Sequence, residues 1–178
     1  MFLAKNKNVP AIEIAGMLFI ILLGSALHFT YALSGNNPVV GCFSAVNESV
    51  WEHLKLAFWP SILWILIAMF PLRNAVNNFF SAKAIGTYIM VIMIPAVFYS
   101  YTAITGESIP AVDIATFVVA VIIGQLASLK LFKYKFPRST EKIAVIALIL
   151  LAIVFVLFTF YPPHLLIFKY SITGRYGI

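Results

Sequence analysis

Five continuous apolar runs, each about 17 to 25 residues long, constrain this chain more than any other feature of its sequence. An α-helix rises about 1.5 Å per residue, so runs of this length match the ~30 Å hydrocarbon core of a bilayer. Hydrophobic residues make up 62% of the 178 residues and charged residues only 10%. A globule of this size has too large a surface to bury so many apolar side chains. The sequence therefore predicts an integral membrane protein.

The fold class that we predict is all-α, because membrane-crossing barrel strands alternate apolar and polar residues whereas these runs are continuous. We expect one integral membrane domain over residues 1–178, a bundle of five helices without a second domain. A C-terminal tail, residues 162–178, is expected to lie back at the outer membrane interface, as a cap on the bundle or as a plain anchor. The predicted spans are about 11–34, 48–71, 84–105, 109–129 and 143–161.

Basic residues are distributed unequally between the two sides of these five spans, and cytoplasmic flanks are the more basic ones in membrane proteins. The poorer side holds three cations, Lys55, Lys169 and Arg175. The richer side holds nine, Lys5, Lys7, Arg73, Lys83, Lys130, Lys133, Lys135, Arg138 and Lys142. We therefore predict a cytoplasmic N terminus and an external C terminus. The net charge of +6 then reflects orientation and anionic headgroups rather than nucleic acid.

This orientation brings the histidines and most acids to the outer side, although they are far apart in the sequence. His28 precedes the outer end of the first span, His53 enters the second, and His164 follows the fifth. Glu48 and Glu52 join them there. Because an imidazole inside a span is costly without a partner, His28 is a candidate site residue, with a structural hydrogen-bonded histidine as the alternative.

The stretch NESVWEHLK, residues 47–55, carries the densest group of these side chains. Helical spacing puts Glu48 and Glu52 on one face and directs His53 about 100° away, toward another helix. The two like charges need an offset, for which Lys55, His28 or a metal ion would serve. An alternative without function is that Asn47 caps the helix and Lys55 pairs with Glu52.

Two polar stretches of the chain carry a resemblance to a known family. HFTYALSGNNPVVGCFSAVNESVWEHLK, residues 28–55, and PPHLLIFKYSITGRYGI, residues 162–178, resemble a family of small bacterial membrane proteins classed as a domain of unknown function. The resemblance spans most of the chain. It implies a multi-pass protein of the bacterial cytoplasmic membrane and implies no chemistry.

The first functional hypothesis is a site near the outer face that binds a divalent metal, such as zinc, or a small polar ligand. Imidazole and carboxylate ligands suit zinc, and an open coordination position could activate water as in a metal-dependent hydrolase. Glu48 and Glu52 are the candidate catalytic residues. The candidate polar ligand-binding residues are His28, Tyr31, Asn47 and Lys55. The candidate metal ligands are His28, Glu48, Glu52, His53 and His164.

Two other classes of function stay open. One is a small-solute, cation or proton transporter, since Pro60 and Pro95 interrupt two spans; a chain of this size would then need a homodimer. The other is a non-catalytic partner or sensory subunit that docks through the basic loop of residues 130–142. Motifs of zinc peptidases, nucleotide-binding loops and serine hydrolases are absent from the sequence.

Overall fold

The computed structural model describes residues 8–170 and 173–178, and within these ranges the chain is helical and has no named strand. A short 3₁₀ turn, Leu166–Phe168, follows the last helix. The helices are α1 (Val9–Leu33), α2 (Pro38–Gly41), α3 (Val50–Leu72), α4 (Phe79–Thr105), α5 (Pro110–Leu131) and α6 (Arg138–Phe160). All except α2 are long and apolar enough to cross a membrane. The predicted all-α fold with five spans is confirmed, and the chain is a multi-pass membrane protein.

Short connections make the five spans alternate in direction, so the bundle has two distinct ends. We call one the histidine end: it contains the last turns of α1, α4 and α6 and the first turns of α3 and α5. The opposite end is the basic end. Lys5 and Lys7, which the sequence analysis assigns to this side, lie outside the described residues.

Two spans begin earlier than the apolar runs indicate. α4 starts at Phe79 instead of residue 84, and α6 starts at Arg138 instead of residue 143. The reason is a polar contact between their first turns: Glu141 accepts hydrogen bonds from the backbone N–H groups of Phe80 at 2.9 Å and Ser81 at 3.0 Å. A hydropathy criterion excludes such polar turns from the predicted span. They are nevertheless helical, because the carboxylate accepts hydrogen bonds from N–H groups that have no partner within the helix.

Helix α4 packs against α3, α5 and α6, while α1 packs against α3 and α5. Two contacts require glycine. A Cβ at Gly86 of α4 would lie 2.5 Å from the carbonyl oxygen of Gly124 in α5, and one at Gly24 of α1 would lie 2.4 Å from the carbonyl oxygen of Leu56 in α3. These glycines therefore let helix backbones approach each other directly.

Gly24→Ala is expected to lower stability by about 1–3 kcal/mol, because the new methyl group meets backbone and forces α1 away from α3. The neighbouring substitution Ser25→Ala is the matched control, since Ser25 is exposed and bonds only to the carbonyl of Ile21 in its own helix. Thermal unfolding in detergent measures both. Equal melting temperatures for the two variants would show that the α1–α3 contact tolerates a side chain.

Near the basic end, the bundle buries an ion pair that joins three helices. Lys83 of α4 lies 2.7 Å from both carboxylate oxygens of Glu13 in α1 and donates to Gln125 Oε1 in α5 at 3.1 Å. The side chains are 2% and 0% exposed, respectively, for the lysine and the glutamate. The prediction that Lys83 is a membrane-flanking cation is therefore wrong.

The described part of the tail folds back onto the histidine end. Phe168 is buried, and its ring centroid lies 4.7 Å from that of Trp51 in α3. Ile178 donates its backbone N–H to the carbonyl of Thr159 in α6 at 3.2 Å. The tail thus covers the start of α3 and the end of α6. Residues 171–172 of the predicted tail lie outside the described residues.

Candidate functional site

The connection between α1 and α3 is fastened to both helices by side-chain hydrogen bonds. Ser44 donates to the carbonyl of Leu27 at 2.5 Å and accepts from the backbone N–H of Tyr31 at 3.0 Å. On the other side, Glu52 accepts from the backbone N–H of Val46 at 3.0 Å. The loop that leads into α3 is therefore held in one position against the last turns of α1.

A second buried ion pair holds this loop to the bundle. Lys55 Nζ lies 2.5 Å from Glu52 Oε2 and donates to the carbonyl of Gly41 at 2.7 Å and to the hydroxyl of Thr159 at 2.9 Å. The lysine side chain is 0% exposed and the glutamate 2%. Because each is fully engaged, neither is available to a ligand, which removes the support for Glu52 as a metal ligand or catalytic base and for Lys55 as a ligand-binding group.

The start of α3 differs from the expectation. Ser49 is the capping residue and accepts from the N–H of Glu52 at 3.4 Å. Asn47, expected to cap the helix, instead accepts from the N–H of Ser49 at 2.9 Å and donates to the carbonyl of Gly177 at 3.0 Å. Since the helix begins only at Val50, Glu48 precedes it. The predicted shared face of Glu48 and Glu52 is therefore wrong, and Asn47 anchors the tail.

Glu48, which precedes α3, contacts two histidines from two different spans. Its Oε2 atom lies 3.4 Å from His28 Nε2 of α1 and 3.1 Å from His53 Nε2 of α3. The two Nε2 atoms lie 3.2 Å apart. Within the described part of the chain, this trio, which we call the His–Glu group, is the set of side chains placed to hold a metal ion. His53 thus faces another helix, as helical spacing indicates.

A contact of His53 Nδ1 orients the imidazole ring so that Nε2 faces the His–Glu group. His53 Nδ1 lies 2.9 Å from the carbonyl oxygen of Ser49, one turn earlier. A carbonyl only accepts hydrogen bonds, so Nδ1 carries the proton and the lone pair of a neutral ring resides on Nε2. Such second contacts orient metal-binding histidines in proteins. The Ser49 carbonyl, which sequence reasoning did not identify, therefore belongs to the site.

Glu48 is ionised within this group. Hydrogen bonds with His28 and then His53 lower the pKa of its carboxyl well below the ordinary value of 4.5, although partial burial opposes the shift. The side chains of His28, His53 and Glu48 are 30%, 33% and 48% exposed. The group thus lies at the surface of the histidine end and is not enclosed by the rest of the protein.

Two further candidates make other contacts. The ring of His164 stacks on Tyr176 with centroids 4.6 Å apart, within the tail. Tyr31 contributes its backbone N–H to the bond with Ser44 described above. Of the five predicted metal ligands, the structure brings together three and separates Glu52 and His164 from them.

Comparison with known proteins identifies one family. A family described as a family of unknown function, DUF6512, matches residues 2–178. No curated protein and no solved structure matches the chain.

Proposed function

We propose a function from geometry alone, because the chain belongs to the DUF6512 family, a family of unknown function that brings no activity with it. The proposal is that the chain binds a divalent transition metal, zinc in particular, through the His–Glu group at the membrane surface. The bound metal would serve a hydrolytic reaction at that surface.

The separation of the three ligand atoms carries this proposal. A zinc ion bound at 2.0–2.1 Å with tetrahedral angles holds its ligand atoms about 3.3 Å apart. The three separations among His28 Nε2, His53 Nε2 and Glu48 Oε2 are 3.2, 3.1 and 3.4 Å. Each lies within a tenth or two of an ångström of that value, so the ion would need little rearrangement to fit between them.

The ligand chemistry selects among metals. Two imidazoles and one carboxylate suit zinc and its neighbours in the transition series, whereas magnesium and calcium prefer oxygen ligands throughout. The proton on His53 Nδ1 leaves Nε2 free to coordinate. In the absence of a cation, two imidazole nitrogens 3.2 Å apart and a carboxylate would have to share protons. A bound metal ion would take the place of those shared protons.

Three protein ligands leave one tetrahedral position open, which is the pattern of catalytic rather than structural zinc sites. Zinc in such a site lowers the pKa of a bound water to about 7 and so supplies a nucleophile for ester or amide hydrolysis. Glu48 would both bind the metal and offer its second oxygen to a proton. The substrate would be a molecule present at the membrane interface, since the group lies where the spans end.

Purified protein, stripped with a chelator and titrated with metal, tests the proposal. We expect one zinc per chain, a higher melting temperature with zinc, and no response to magnesium. A protein that neither retains zinc nor gains stability from it would refute metal binding. Hydrolysis of chromogenic esters by zinc-loaded and stripped protein then separates a catalytic site from a structural one, which would bind zinc without turnover.

Zinc affinity is expected to fall as the pH is lowered from about 8 to about 5, because protonated histidines do not coordinate. With two histidines the loss approaches about a hundredfold per pH unit. Glu48 does not contribute in this range: its lowered pKa keeps it ionised, and its stabilising effect on the fold is lost only at much lower pH. Zinc titrations between pH 5 and 8 measure the slope; a flat profile contradicts ligation by histidine.

The charge imbalance behind the orientation proposed from the sequence persists once the buried lysines are set aside. Without Lys55 and Lys83, the histidine end retains two cations among the described residues, Lys169 and Arg175. The basic end retains six, Arg73, Lys130, Lys133, Lys135, Arg138 and Lys142. This imbalance supports the proposal that the histidine end lies outside and the basic end in the cytoplasm. A cysteine introduced at Arg175 should react with an impermeant reagent on intact cells, and protection from it would reverse the assignment.

The transporter alternative loses its main support. Pro60 and Pro95 lie inside α3 and α4, and both helices continue through them. The broken helices typical of transport sites are therefore not found in these spans.

A further inference from the structure

The connections at the basic end are short, and this fixes the depth of their side chains. One runs from Leu72 to Phe79 between α3 and α4, and the other from Leu131 to Arg138 between α5 and α6. Each joins two helices that cross the membrane. A connection of this length cannot extend far into the solvent, so its side chains stay at the depth of the lipid headgroups, a layer several ångströms thick on either side of the hydrocarbon.

These connections and the helix turns beside them carry a concentrated positive charge. The charged residues described at this end include a single exposed or partly exposed acid, Glu141. Its carboxylate is committed to the first turn of α4, as described above. Five exposed cations form what we call the basic patch: Arg73, Lys130, Lys133, Arg138 and Lys142. With that carboxylate engaged, the described residues at this end leave no other exposed acid to balance the positive charge of the patch.

The patch is held in place rather than carried on a free loop. Phe132 is 1% exposed, with its ring centroid 6.2 Å from that of Phe79 at the start of α4. Asn78 donates to the carbonyl of Tyr134 and accepts from the N–H of Phe136 at 2.8 Å. Tyr134 is itself half exposed, as aromatic side chains at the headgroup level are. The backbone of the loop is thus ordered before any partner binds.

We propose that the basic patch binds the phosphate headgroups of anionic phospholipids. The depth of the short connections, the excess of cations and the exposed tyrosine together match a lipid headgroup lying in the same plane. A nucleic acid or an acidic protein would have to approach along the bilayer surface and compete with that lipid. This inference is independent of the metal proposal, since it concerns the opposite end of the bundle.

Native mass spectrometry of the detergent-solubilised protein tests the inference with phosphatidylglycerol and phosphatidylcholine as probes. We expect the anionic lipid to be retained preferentially and to be lost as salt is raised. In the variant K133Q/R138Q this preference should fall roughly thirtyfold, since each cation near an anionic surface contributes about 1 kcal/mol. The matched control K169Q/R175Q removes two exposed cations from the histidine end and should retain it.

Several results would overturn the proposal. One is equal retention of the two lipids by the unaltered protein, and another is an unchanged preference in K133Q/R138Q. Displacement of the lipid by inorganic phosphate at comparable concentration would show a general anion site. Tighter binding of a short RNA than of phosphatidylglycerol would assign the patch to nucleic acid. Melting temperatures of both variants, measured without lipid, verify that each is folded.

Discussion

Replacement of His28 by alanine is expected to lower zinc affinity on the order of 10²- to 10³-fold, the scale set by losing one of a few protein ligands. The same loss is expected for His53→Ala, which also removes the ring held by the Ser49 carbonyl. Glu48→Gln should weaken binding less, because the amide oxygen still coordinates but carries no charge. Competition with a fluorescent zinc chelator measures all three affinities.

The chain offers matched controls for each substitution. His164→Ala removes a histidine from the same end of the bundle but outside the His–Glu group. Glu107→Gln neutralises an exposed acid near the turn between α4 and α5. Neither should change zinc affinity by more than about twofold, since screened surface charges act weakly over distance. If His164→Ala lost as much affinity as His28→Ala, the ligand set proposed here would be wrong.

The second large effect is expected at the other end, where Glu13→Gln or Lys83→Met alone should destabilise the protein by about 3–5 kcal/mol. Each change leaves a charge buried without its partner, since Lys83 and Glu13 are 2% and 0% exposed. Gln125 supplies only one neutral acceptor to the lysine, at 3.1 Å. Unfolding in detergent under increasing denaturant measures the free energy.

The double variant E13Q/K83M should recover most of this loss, because it removes both charges at once. Lys142→Gln, at an exposed position on the basic end, is the control and should change stability by less than about 0.5 kcal/mol. Single variants as stable as this control would indicate that water reaches the pair. A double variant as unstable as the singles would assign the effect to side-chain shape instead of charge.

The spans could be predicted from the sequence because hydropathy is a local property of each run. The same criterion misplaced the first turns of α4 and α6, where Glu141 completes a helix across a gap of about sixty residues in the chain. It also missed α2, whose four residues begin after the cap of Asn37. Polar helix ends depend on partners that a sliding window over apolar residues cannot see.

The sequence predicted which end of the bundle holds the candidate site residues, but the predicted pairing of Glu48 with Glu52 was wrong. Chain direction was enough to gather His28, His53 and Glu48 at one end. The helix register of Glu48 and Glu52 failed because α3 begins after Glu48, a difference of a few residues that reverses which side chains share a face. No local sequence pattern predicts the contact between Glu13 and Lys83, because the two residues are 70 positions apart in the chain.

The distance along the chain between those two partners has a consequence for biosynthesis. Glu13 leaves the ribosome 70 residues before Lys83, so α1 reaches the membrane before the lysine that pairs with its carboxyl group has been made. A charged group costs about 2.5–3.5 kcal/mol at mid-bilayer on the insertion scale and less toward the end of a span, where Glu13 lies. The remaining cost favours a protonated or shallow α1 during synthesis. The ion pair that holds α1 in the folded protein can form only after α4 has been made. In nascent chains arrested before Phe79, α1 should therefore be more exposed to lipid than in the complete protein. Crosslinking to lipid of cysteines introduced near Glu13 would detect this difference.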